Sequence, residues 1–329
     1  MITSNMILAF CTVLYVGSLS ATAYAEETKY PLVIEHKYGS STILDQPKRV
    51  ASLDWAGADN ILALGYQPLT TRYWFGDYQD GIWPWARALL TSVPEVIQGE
   101  INYEQIAATN PDVIMASRSG ISRQDYQQLS KIAPVIATLK GEGDFTMPWD
   151  RRARLLAEVL NKEIQAEALI VKIETQMAAV KKNHPDWSGK TFAMATYWNG
   201  SVGVYSGDDM TVNLISKMGL TLSPAVTELT KKGEFHVTLS EEQLGLIDAD
   251  VLFWYVTGEG KKQIEALALR PYMRAFKEGR EIMLPSGSLG NGALSYSSLI
   301  SLPIAIEQIV PLIELAIDGD IATTVSLAK

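Results

Sequence analysis

Asn102-Tyr103-Glu104-Gln105-Ile106 leads into Asn110-Pro111-Asp112-Val113-Ile114, and far downstream Ser240-Glu241-Glu242-Gln243-Leu244 leads into Asp248-Ala249-Asp250-Val251-Leu252. From Glu104 to Asp112 is eight residues, and from Glu242 to Asp250 is eight again. Each copy opens on a helix-capping pattern, Asn102-x-x-Gln105 and Ser240-x-x-Gln243, in which the first side chain and the fourth can satisfy each other's free backbone N–H. Each then reaches an apolar, β-branched run of the kind that fills a buried strand. A unit occurring twice at this separation is a weak internal repeat, and it predicts two lobes of one design.

Working outward, strand-like runs at Arg49–Leu53, Asp112–Ala116 and Val135–Thr138 surround the first copy, with a short helix from Ala58 to Leu64 stopped by Gly65. The second copy has strands at Thr191–Thr196, Val251–Tyr255 and Glu281–Leu284, and a helix from Val212 to Met218 ending at Gly219. A last helix is expected over Ser298–Ile317, complicated by Pro303 and Pro311. Between the halves, Leu169, Ile170, Ile173, Met177 and Val180 mark one face of a long helix that Asn183-His184-Pro185 terminates. Alternating strands and helices define an α/β fold with central sheets flanked by helices. The expected organisation is a leader over 1–25, one lobe over 26–162, a connecting helix over 163–185 and a second lobe over 186–329.

The 329 residues carry a formal net charge of −9 with no basic run to offset it. This argues against nucleic-acid binding and against docking on an anionic membrane. Residues 1–25 combine an apolar stretch from Met6 to Val16 with the small-residue ending Ala23-Tyr24-Ala25, the form of a cleavable export signal. Cys11, the one cysteine, falls inside that stretch behind Phe10, where a lipid-attachment site wants a small residue. The mature chain is therefore expected to be periplasmic, without lipid, disulfide or thiolate chemistry.

Several of these segments resemble a known family. Lys48-Arg49-Val50-Ala51-Ser52-Leu53-Asp54-Trp55 with Leu62-Ala63-Leu64-Gly65, the Asn102–Ile114 stretch, Ile132-Ala133-Pro134-Val135, Trp83-Pro84-Trp85-Ala86, Pro148-Trp149 and the Ser240–Phe253 stretch are similar, in order and spacing, to the iron-siderophore substrate-binding proteins of ABC importers. The resemblance covers about residues 30 to 315. It implies two Rossmann-like lobes bridged by one long α-helix, the class III periplasmic binding protein arrangement, with ligand in the cleft between them. A helical bridge resists bending, so closure on ligand is expected to be small. The resemblance also assigns Glu104 and Glu242 to docking on the permease; a first-turn carboxylate is favoured by the helix dipole in any case.

Ligands of open α/β sheets sit beyond the C-terminal strand ends. That rule selects Trp55, Arg72, Tyr73, Trp74, Trp83, Trp85, Arg118, Trp149, Arg152, Tyr197, Trp198, Trp254 and Tyr296 as candidate contacts. A ferric siderophore suits such a set, because the chelator supplies the iron's own ligands. The protein then needs flat rings and arginine forks rather than metal-binding side chains. The alternatives are haem or a corrinoid on the same fold, or bare Fe³⁺ held by tyrosines. No catalytic site is expected: Ser286-Gly287-Ser288-Leu289-Gly290 is not a nucleophile elbow, Gly141-Glu142-Gly143 and Gly258-Glu259-Gly260 lack the third glycine of a dinucleotide loop, and His36, His184 and His236 are scattered. The expected partners are the siderophore and the inner-membrane permease, with the chain itself a monomer.

Overall fold

The computed structural model describes residues 28–323 and 325–326. The export-signal reading and Cys11 lie outside these residues. The first-half strands are β1 (Leu32–His36), β2 (Gly39–Ile43), β3 (Val50–Ser52), β4 (Thr70–Arg72), β5 (Glu95–Ile97), β6 (Val113–Ala116) and β7 (Val135–Ala137). Strands β3, β6 and β7 form a parallel sheet, β4 and β5 pair in parallel, and single bridges Val50–Pro68 and Trp55–Arg72 link the two groups. Helices α1 (Gly57–Ala63), α2 (Pro84–Arg87), α3 (Tyr103–Ala108), α4 (Arg123–Leu129) and α5 (Trp149–Leu160) accompany these strands.

Helix α6 (Glu163–Asn183) follows, 21 residues and about 30 Å long. It buries Ala166, Ile170, Ile173 and Met177, the i, i+4, i+7 spacing of one stripe. That stripe packs on α5 of the first lobe and on α7 (Met210–Lys217) of the second. The second sheet contains β8 (Thr191–Trp198), β9 (Ser201–Tyr205), β10 (Thr221–Leu222), β11 (His236–Leu239), β12 (Val251–Val256), β13 (Glu281–Pro285) and β14 (Val325–Ser326). Its order is β11-β9-β8-β12-β13-β14, with β10 beside β8. The β8-β12-β13-β14 part is parallel and the β8-β9-β11 part antiparallel. All six residues of β12 are buried, because helices cover both faces of a central parallel strand. Helices α8 (Pro224–Leu229), α9 (Gly260–Glu265), α10 (Arg274–Lys277), α11 (Leu289–Tyr296) and α12 (Ser301–Ile317) complete the lobe.

Two local readings change. The last helix begins at Ser301 rather than Ser298, because Ser298 and Ser301 cap each other: each backbone N–H donates to the other's hydroxyl, at 2.9 and 3.0 Å. It then runs through Pro311 to Ile317. The two repeated caps also differ. Ser240 and Gln243 form the reciprocal box, but over a 3-10 turn. Asn102 accepts from the Gln105 N–H, while the Gln105 amide turns away to Glu95 and the Val96 carbonyl.

Candidate functional site

A cavity of about 350 Å³ opens between the lobes, lined by Trp55, Trp74, Arg118 and Phe145 from the first half and by Tyr205, Asp209, Thr211, Phe235, Tyr255 and Ser295 from the second. Phe145 and Phe235, one from each half, touch each other at its wall with ring centres 5.5 Å apart. Trp55 and Arg118 lie just past the ends of β3 and β6, joined by a Trp55 N–H to Arg118 carbonyl bond of 3.1 Å. The Asp54 carboxylate, buried between them, accepts from the Arg118 backbone N–H at 2.6 Å and the Ser117 hydroxyl at 2.8 Å. Burial raises the Asp54 pKa against these bonds.

The Arg118 guanidinium lies 4.9 Å from the centre of the Trp74 ring and donates to the Ser295 carbonyl at 3.2 Å. Its buried Nε has no partner. Burial lowers its pKa to about 9, so it keeps its proton at neutral pH. A cation held over an indole at the wall of an aromatic cavity can meet an acceptor oxygen of a ligand. Arg72 stacks on Trp55 at 3.7 Å and bonds the Ser119 carbonyl. It lines a neighbouring hollow of about 530 Å³ together with Glu100, Tyr103 and Asp125, not the cleft itself. Opposite, Asp209 caps α7 by accepting from the Thr211 and Val212 N–H groups at 2.8 and 3.1 Å, and burial raises its pKa.

Of the sequence-selected residues, the structure brings Trp55, Trp74 and Arg118 to the cavity wall. The loop aromatics mostly fold inward instead. Trp83 is fully buried, with Trp85 stacked on it at 5.0 Å, Tyr78 at 4.9 Å and Tyr296 at 5.8 Å. Its ring lies flat on Gly292 of α11, where any Cβ would come within 2.4 Å, so it is interlobe packing rather than a cleft surface. Trp85 gives its indole N–H to Asp59 at 2.8 Å, and the Tyr73 hydroxyl bonds the Gly76 carbonyl at 2.9 Å. Tyr296 stacks behind Trp74 at 5.9 Å and supports it. Trp149 is buried in the main core. Arg152 is buried behind the cleft, where it donates to the Tyr296 and Ser297 carbonyls at 3.2 and 2.6 Å.

In the second lobe, strand parity sets Trp254 and Tyr197 away from the cavity. Phe253 and Tyr255 point to the core shared with the cleft, while Leu252 and Trp254 point to the opposite one. Trp254, fully buried, donates to Glu281 there at 2.8 Å. Tyr197 packs on that same far side. Trp198 is 68% exposed at the β8–β9 hairpin, outside the cavity. The residue that does reach the cleft, Tyr255, was legible by counting two from Phe253. Asp209 also left a signal, an N-cap carboxylate two residues before Thr211. Phe145 and Phe235 sit in loops and left none.

Among the described residues, no group of three or more His, Cys, Asp or Glu side chains could hold a metal ion. Glu104 on α3 and Glu242 on the 3-10 turn are both solvent-exposed.

The profile of the family described as "Periplasmic binding protein" matches residues 50–286, and the chain belongs to that family. A probable siderophore-binding lipoprotein, YfiY of Bacillus subtilis, is 28% identical over 233 residues, which are 68% of each chain. The crystal structure of a periplasmic solute-binding protein from Mycobacterium smegmatis is 28% identical, with a TM-score of 0.75 over 87% of this chain and 98% of its own. That of PiaA from Streptococcus pneumoniae in complex with ferrichrome is 25% identical, with a TM-score of 0.75 over 88% and 99%. The fold is that of the two-lobed class III periplasmic binding proteins.

Proposed function

We propose that this chain is the extracytoplasmic substrate-binding protein of an ABC importer and that it carries a ferric siderophore in the cleft between lobes 26–162 and 186–329, with 163–185 as the connection. The observation that carries the reading is a cavity built by both lobes and walled by rings around one buried, protonated arginine. Such a surface suits a chelate that brings its own metal ligands and presents an apolar or aryl flank plus an acceptor oxygen. The siderophore names of relatives point the same way. Export through the 1–25 leader places the protein in the periplasm. YfiY is named a lipoprotein, whereas Phe10 before Cys11 speaks against that anchor here. Glu104 and Glu242 serve as docking points for the permease, and the carrier acts as a monomer without catalytic activity.

Saturable quenching of intrinsic tryptophan fluorescence by one or more ferric siderophores, inner-filter corrected, is the expected result. Trp55 and Trp74 stand at the cavity wall within reach of the iron chromophore. Arg118→Gln should weaken binding by about tenfold or more through loss of a charge-assisted bond. Binding of haem, cobalamin or uncomplexed Fe³⁺ with no response to any siderophore would overturn the cargo.

A further inference from the structure

Charge, counted around the cavity, is nearly balanced. Its wall contains one cation, Arg118, and one carboxylate, Asp209. These two act on each other: Asp209 is among the groups that favour the charged form of Arg118, and Arg118 favours the ionised form of Asp209. The other wall residues are rings, hydroxyls and a buried floor. Arg72 lies over Trp55, donates to the Ser119 carbonyl, and shares its hollow with Glu100 and Asp125. The turn that carries Phe235 adds no surplus. Lys231 and Lys232 are there, but Glu234 accepts from the Lys231 N–H and Asp208 from the Gly233 N–H. Behind Arg118, buried Asp54 and buried Arg152 add one acidic and one basic group that act on each other, so they bring no surplus of either sign.

From this balance we infer that the cleft selects a ferric complex that is neutral or at most singly anionic, of the trishydroxamate or mixed hydroxamate–phenolate kind, and discriminates against trianionic tris-catecholates and polyanionic citrate chelates. This rests on the siderophore reading above. A trianion entering a half-apolar cavity needs several cations to replace its lost hydration. Here it meets one, already shared with two carboxylates. A neutral chelate needs one acceptor oxygen for the Arg118 guanidinium and flat surface for Trp55, Trp74, Phe145 and Phe235.

The test uses the mature protein and three probes at equal ionic strength: a neutral ferric trishydroxamate, a trianionic ferric tris-catecholate and ferric citrate. The hydroxamate should bind at least about tenfold more tightly than either polyanion. Its Kd should change little between low and high salt, because little net charge is brought together. Asp209→Asn keeps a side-chain oxygen to cap α7 and removes the charge. It should tighten the tris-catecholate several-fold relative to the hydroxamate. Tris-catecholate or citrate binding as tightly as the hydroxamate, with Asp209→Asn indifferent, would overturn the selectivity while leaving the siderophore reading intact. Absence of binding by all three, with haem or cobalamin bound, would remove the siderophore reading and this inference together.

Discussion

The Asp59 carboxylate is fully buried, with one oxygen well served and the other without a partner. Its Oδ2 accepts from the Trp85 indole at 2.8 Å and the Ser298 hydroxyl at 2.7 Å. Burial pushes its pKa from 3.8 to about 6. The sign follows from proton counting. Between those two pH values the folded chain binds more protons at this site than the unfolded chain. This group's contribution is therefore most favourable below the unfolded pKa and is lost as pH rises through about 6. Asp59→Asn should lose that pH dependence. Urea unfolding from pH 4 to pH 7 should show the wild-type curve falling by about 2 kcal/mol more than the variant's. Parallel curves would show the carboxyl titrates normally. Nothing local in the sequence announces this residue. Its partner Ser298 lies 239 positions away, and Asn60 beside it accepts from the Leu299 N–H across the same gap.

At the scale of elements, the segment from Ser295 to Ser301 does the joining. The Ser295, Tyr296 and Ser297 carbonyls accept from Arg118 and Arg152, while Ser298 and Leu299 donate to Asp59 and Asn60 of α1. The Tyr296 hydroxyl reaches the Gly81 carbonyl at 3.3 Å. Arg152→Met should cost about 3 kcal/mol in urea unfolding, because two buried carbonyls lose their donor and Asp54 and Asp59 lose a nearby cation. Arg152→Lys should recover only part of it, since an ammonium cannot reproduce the planar fork. A loss below 1 kcal/mol would mean that water satisfies these carbonyls equally well. Elements with their own periodicity were legible from sequence: β12 from its apolar run, α6 from its stripe, the cap of α3 from Asn102. Orientation was not read, although parity in β12 carried it. Most rings of the connection between β4 and α2 turn inward because they form a small core of their own, to which the second lobe contributes Tyr296 and Gly292.

For the whole molecule, the internal repeat and the family segments gave two α/β lobes, and the comparisons place the chain in the family those segments suggested. The cleft was legible in outline, since Trp55 and Arg118 follow directly from strand ends. Its far wall depends on how two distant surfaces meet, and no local pattern records that. Glu104 and Glu242 stand exposed on separate lobes. Replacing both by Lys should leave siderophore affinity within about twofold and lower uptake by intact cells about tenfold or more, as expected where charges steer and register a docking surface. Uptake unchanged in cells with normal amounts of the variant would remove both residues from the docking role.

The Ser295–Ser301 clamp also bears on what the membrane partner can perceive. Lobes joined through buried bonds and a continuous helix are expected to keep nearly one outline, vacant or full. On the proposed reading, the importer then has little shape by which to refuse a vacant carrier. Vacant copies would occupy it as decoys, and the rate of iron entry would follow the ratio of laden to vacant carriers rather than the total number made.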